Sequence, residues 1–121
     1  MATREQSMAT PAFTTFAQVQ NALQTFVVTN NIPINQAPHG NMWERGSTAN
    51  DQYKNFVTGD AISGFKILIP GNGDGSNIIL ALRGEAPFDG SEFPRMPAGG
   101  PYLDSDTITA IAAWITAGAT Q

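Results

Sequence analysis

The chain contains no cysteine. That single absence excludes disulfides, thiolate nucleophiles, zinc–thiolate centres and iron–sulfur ligation. There is one histidine, His39, so a site needing two histidine ligands cannot form within one chain. Positive charge is sparse: six Lys and Arg stand against ten Asp and Glu, for a net charge of −4 at pH 7. The six are scattered with no basic run. This argues against nucleic acid as a partner, because backbone phosphates are held by clustered cations. No apolar run approaches membrane-spanning length, so no membrane partner is expected. The polar stretch from Met1 to Thr15 carries no visible secretory signal, which leads us to expect a cytoplasmic protein or an already trimmed chain. No Asn-x-Ser/Thr acceptor and no internal repeat occur. A length of 121 residues suits one domain with a modest core. We expect a loose lead-in over 1–12 and a single domain over 13–121.

What is present is helical punctuation. Ile108, Ile111, Ala112 and Ile115 recur at i, i+3, i+4 and i+7, giving one apolar face widened by Trp114. Asp104 or Ser105 can cap the first turn, Leu103 and Ile108 fall at the positions of a hydrophobic staple, and Gly118 sits where a left-handed cap is expected. Thr15 to Gln18 reads as a capping box, after which Phe16, Val19, Leu23, Phe26 and Val27 share a face. A first helix is therefore expected from Phe16 to about Val28. Asn50 to Val57 reads as a short helix ended near Gly59, with Tyr53, Phe56 and Val57 inward. Phe65 to Ile69 is strand-like without an obvious partner. Ser76 or Asn77 caps a short helix through Leu82, with Gly84 at its end. Residues Ile32 to Ser47 and Glu85 to Gly100 read as long loops.

Several chemical readings fail on spacing. Gly71-Asn72-Gly73-Asp74-Gly75-Ser76 follows an apolar segment and opens a helix, as phosphate loops do. It lacks Gly-Lys-Ser/Thr and sits in no alternating strand–helix pattern. Asn72, Asp74 and Asn77 lack the calcium-loop spacing and its terminal glutamate, and Asp89 with Glu92 reads as solvated loop. No Gly-x-Ser-x-Gly nucleophile motif occurs, so the expectation is a protein that is not an enzyme. Glu44 and Arg45 read as a surface pair. Trp43, Tyr102 and Trp114 among many Asn, Gln, Thr and Gly residues could serve as sugar platforms, which keeps carbohydrate binding open with Trp43 and Tyr102 as its ligand-binding residues.

Two stretches carry a resemblance. Met96-Pro97-Ala98-Gly99-Gly100-Pro101, then Leu103, then Ile111-Ala112-Ala113-Trp114-Ile115-Thr116-Ala117-Gly118-Ala119 resembles the C-terminal end of small bacterial c-type cytochrome domains. Ile69-Pro70-Gly71 through Ser76 to Ile79 is similar to the turn and short helix that precede it in that family. The resemblance covers the second half of the chain well and the first half poorly. It implies an all-α, cytochrome c-like domain with long ordered loops, in which the first and last helices cross. The family's haem-attachment pattern, Cys-x-x-Cys-His, is met here by Asn35-Gln36-Ala37-Pro38-His39, so both thioether positions are replaced while the histidine remains. Met96 lies where the family's axial methionine lies.

Three functional expectations follow. The first is a haem-free binding or accessory module whose former pocket is filled by aromatic bulk such as Trp43, Tyr53, Phe56 and Phe65. The resemblance gives it a protein partner, an oxidase, because similar domains with an Ala-Pro-His-Gly stretch like Ala37 to Gly40 accompany oxidases. The second is an electron carrier with non-covalent haem held by His39 and Met96, a competent axial pair for iron. The third is carbohydrate binding. Fold alone does not choose among them.

Overall fold

The computed structural model describes residues 12–37 and 39–121. Nearly all of the lead-in expected over 1–12, and Pro38 of the histidine stretch, lie outside the described residues. The rest is a small, mainly helical domain: α1 (Phe16–Thr29), a single 3-10 turn (Ile34–Gln36), α2 (Ala49–Thr58), a two-stranded hairpin of β1 (Asp60–Ile62) and β2 (Phe65–Lys66), α3 (Asn77–Arg83) and α4 (Ser105–Thr116). Among the described residues no helix is long and apolar enough to cross a membrane.

The helices begin and end where local chemistry dictates. Thr15 and Gln18 form the reciprocal capping box at the start of α1. The Asp104 carboxylate accepts from the Thr107 amide at 3.0 Å and caps α4. Gly84 closes α3 in the left-handed conformation, φ +72°, and Gly118 follows α4 at φ +118°. Ser76 precedes α3 but makes no cap with its side chain. It is fully buried, and its hydroxyl donates to Asn72 O and accepts from Ile69 N, closing the 69–76 turn.

The expectation of an all-α chain with an unpaired extended segment needs correction. Phe65 and Lys66 pair antiparallel with Asp60 to Ile62. The Ser63-Gly64 turn, with Gly64 at φ +86°, reverses the chain, and Arg45 ties the outer strand down by donating to the Asp60 and Ala61 carbonyls. Arg45 is thus not the surface partner of Glu44: its guanidinium holds backbone carbonyls, and Glu44 accepts from Asn41.

The core has two parts. Phe16 of α1, Phe56 of α2 and Trp114 of α4 meet with ring centroids 5.5 to 6.5 Å apart, and Tyr53 stands edge-on to Phe16 at 5.6 Å. Trp114 is 2% exposed and donates from Nε1 to Thr120 O. Tyr53 donates to Ala119 O, so the same cluster fixes the C-terminal residues. The second part is aliphatic. Ile78, Ile79 and Leu82 of α3 and Ile108, Ile111 and Ile115 of α4 are buried, and the broadest backbone contact between helices is α3 against α4. The 71–76 turn docks on the end of α4. Gly71 N donates to Ile115 O and Gly73 N to Thr116 Oγ1, and a Cβ at position 73 would lie 2.0 Å from Ala112 O.

Three stability predictions follow. Trp114→Ala lowers unfolding free energy by about 3–5 kcal/mol in urea titration; a loss below about 1 kcal/mol would place the ring outside the core. Gly118→Val costs about 1–3 kcal/mol through backbone strain alone, since nothing lies within 4 Å of its Cβ position. Burial raises the Asp104 carboxyl, but the Thr107 hydroxyl and amide outweigh it and hold its pKa below the usual value of 3.8. Its stabilisation is therefore present above pH 4 and lost as pH falls through the lowered value. Asp104→Ala costs about 1 kcal/mol at pH 7; a difference from the parent that does not shrink in acid would contradict that linkage.

Candidate functional site

The other half of α1 faces a cavity of about 520 Å³, within the range of about 300–1,000 Å³ typical of ligand pockets. Its wall is built from Leu23, Phe26 and Val27 of α1, from the 32–43 stretch, from the hairpin and Ile67, from α3, and from residues 88–98. The wall is almost wholly apolar. Among the described residues, His39 is the one titratable side chain in the wall, and no Lys, Arg, Asp or Glu lines it.

His39 and Met96, singled out by motif, both line this cavity. Two sets of bonds position the histidine. Arg45 donates to His39 O at 2.7 Å, so the guanidinium that holds the hairpin also holds the histidine's turn. The ring's Nδ1 lies 2.7 Å from Gly40 O. A carbonyl only accepts, so Nδ1 is the donor in this contact, and in the neutral ring that leaves the lone pair on Nε2. That is the tautomer in which Nε2 can ligate a metal. Downstream, Gln24 Oε1 accepts from Trp43 Nε1 at 2.9 Å and Asn41 Nδ2 at 3.0 Å, while Gln20 donates to Trp43 O at 2.7 Å. The 41–43 segment is thereby riveted to α1, and Met42 is buried into the cavity wall at 8% exposure.

Met96 is set by α3. Its amide donates to Ala81 O at 3.0 Å, and Arg95 Nε donates to Leu82 O at 2.9 Å. The Arg95 guanidinium lies over the Tyr102 ring at 4.1 Å. Ala81 O also accepts from the cap amide of Gly84, whereas Leu82 O, in the last turn where carbonyls lose their helical donors, takes Arg95 Nε instead.

The aromatic side chains expected to fill the space do not do so. Tyr53 and Phe56 belong to the Phe16–Trp114 cluster, on the other part of the core. Trp43 and Phe65 line the cavity and leave it open. The sugar-platform residues are also not brought together. Trp43 is 3% exposed with its indole N–H already bonded, Trp114 is buried, and Tyr102, 44% exposed, stacks with Arg95 outside the cavity wall. Among the described residues no group of three or more His, Cys, Asp or Glu could hold a metal ion, and Asp89 is engaged by the Ser91 hydroxyl and amide, which lower its pKa.

Sequence reasoning missed Met42, Phe88 and Phe93 as wall residues. The first sits three residues after His39, a spacing that puts both on one side of a turn. The other two flank the Gly90 turn of a loop with no periodic signal. Compared with known protein families, curated proteins and solved structures, the chain matches none.

Proposed function

We propose that this chain binds haem non-covalently in the 520 Å³ cavity, where His39 Nε2 and the Met96 thioether would hold the iron, on a cytochrome c-like helical scaffold. The observation that carries the reading is the meeting of two independent facts: both motif residues line one apolar cavity, and the His39 Nδ1–Gly40 O bond leaves Nε2 free. The residues present suit the group. A flat macrocycle needs an apolar, roomy enclosure and one donor atom on each side of the metal, and an imidazole with a soft thioether is a donor set that iron accepts. With no charged side chain in the lining, the acidic substituents of such a ligand belong at the opening rather than in the wall.

Haem held by His and Met supplies one-electron redox chemistry at a raised potential. The chain's own contributions are to bind and to exclude water. Leu23, Val27 and Ile78 present aliphatic surface, Trp43 and Phe65 present ring faces and edges, and Arg45 keeps the His39 turn in register with the hairpin. No side chain in the wall offers a base or nucleophile besides His39, so the reading is a carrier rather than an enzyme. An oxidase fits as the electron partner that the resemblance implies. Absence of cysteine means that retention depends on these contacts alone.

Titration with haemin under visible spectroscopy tests this. The parent chain gives a six-coordinate low-spin spectrum. His39→Ala abolishes that spectrum, and Met96→Ala converts it to a five-coordinate or high-spin form while haemin still binds. A parent chain that leaves the haemin spectrum unchanged, or a low-spin spectrum that survives both substitutions, would overturn the assignment.

A further inference from the structure

One wall of the cavity differs from the rest in how it is held. Residues 86–94 carry Phe88, Phe93 and Pro94 into the lining, yet every hydrogen bond recorded for them stays within the loop or at its root. Phe93 N and Glu92 N donate to Pro87 O, Gly90 N to Phe93 O, Phe88 N to Glu85 O, and the Ser91 amide and hydroxyl to Asp89. No ion pair joins the segment to the body among the described residues. Its tie to the domain is aromatic: Phe93, stacked on Phe88 within the segment at 5.4 Å, meets Phe65 of the hairpin edge-on at 5.5 Å.

The two roots, by contrast, are fixed and adjacent. Glu85 N donates to Leu80 O, Met96 N to Ala81 O and Arg95 Nε to Leu82 O, all on the end of α3. Gly84 abuts the Arg95 side chain so closely that a Cβ there would lie 2.8 Å from Arg95 Cδ. The loop thus leaves and rejoins the body at one clasp, as a compact surface loop with neighbouring ends does. Swinging it outward about Ala86 and Pro94, between the fixed roots, separates ring contacts and breaks no hydrogen bond to the body among the described residues. Elements that move in binding are drawn from such weakly tied segments.

We infer that residues 86–94 are a hinged strap that opens to admit and release the cavity's ligand. This deepens, and rests on, the reading of the cavity as a ligand site. The Met96 side of the cavity stays with the clasp while the strap moves, so opening clears a path without dismantling the donor.

The absence of native cysteine makes a lock possible. In the double variant Phe65→Cys with Phe93→Cys, oxidation joins strap to hairpin, and the same protein after reduction is its own control. Haemin transfer to excess apomyoglobin is expected to be about tenfold slower in the oxidised form and to recover on reduction. Phe93→Leu, which weakens the edge-on contact without a bond, is expected to release haemin several-fold faster than the parent. Equal rates in the oxidised and reduced forms would overturn the strap, as would an unchanged rate in Phe93→Leu if the disulfide does not close. Running the same pair with the dye 1-anilinonaphthalene-8-sulfonate separates the two claims. If the dye binds and the lock slows its release while haemin does not bind, the strap stands and the haem reading falls. If neither probe binds the parent chain, both fall.

Discussion

The arrangement depends on where the aromatic bulk is placed. Phe16, Tyr53, Phe56 and Trp114 converge at one end of α1, where they join three helices and the C-terminal residues. Dispersion among large rings and the area they bury are the strongest glue a domain of this size has. With that glue concentrated on one side, the later turns of α1, carrying Leu23, Phe26 and Val27, face a space that no large side chain fills. A well-packed interior leaves few voids larger than a water molecule. A cavity of 520 Å³ in a chain of 121 residues is therefore the space on which the proposed binding rests.

Polar interactions then decide what the space can hold. The wall segments are not fastened by their own side chains packing into the void. They are fastened from behind: Gln20 and Gln24 grip the 41–43 segment, Arg45 grips the histidine turn and the hairpin together, and the end of α3 grips residues 95 and 96. These donors find partners outside the cavity, with Asn41 Oδ1 the one buried side-chain atom among the described residues that has none, which is why the inner surface can be apolar without leaving donors stranded. The part of the wall supported in this way is preformed, and a preformed site avoids the ordering cost that weakens binding.

Helix ends were readable from the sequence because they are local. The Thr15–Gln18 box, the Asp104 cap and the Gly84 terminus each involve residues within one turn, and all three stand where the pattern puts them. The start of α2 was read a residue late because Thr48, its cap, sits in a run of small polar residues that looks like continuing loop. The hairpin was missed because Asp60 to Ile62 is too short to alternate, and its only signal was the Ser63-Gly64 turn. In the site, His39 and Met96 were legible through motif. The role of Arg45 was not, since its partners are backbone carbonyls, which every residue has and no sequence displays. Phe88 and Phe93 were illegible for a related reason: a loop's position over a cavity is set by where its two ends are anchored, not by the residues in between.

The close seat of the 71–76 turn on α4 has a consequence of its own. At position 73 the backbone of one element lies against the backbone of another, leaving less room than a single carbon atom requires. Such a joint admits no substitution short of rebuilding both sides, whereas the surrounding polar loops can drift freely. That glycine, at a fixed offset before the apolar run of α3, is the landmark by which any related chain would be set in register.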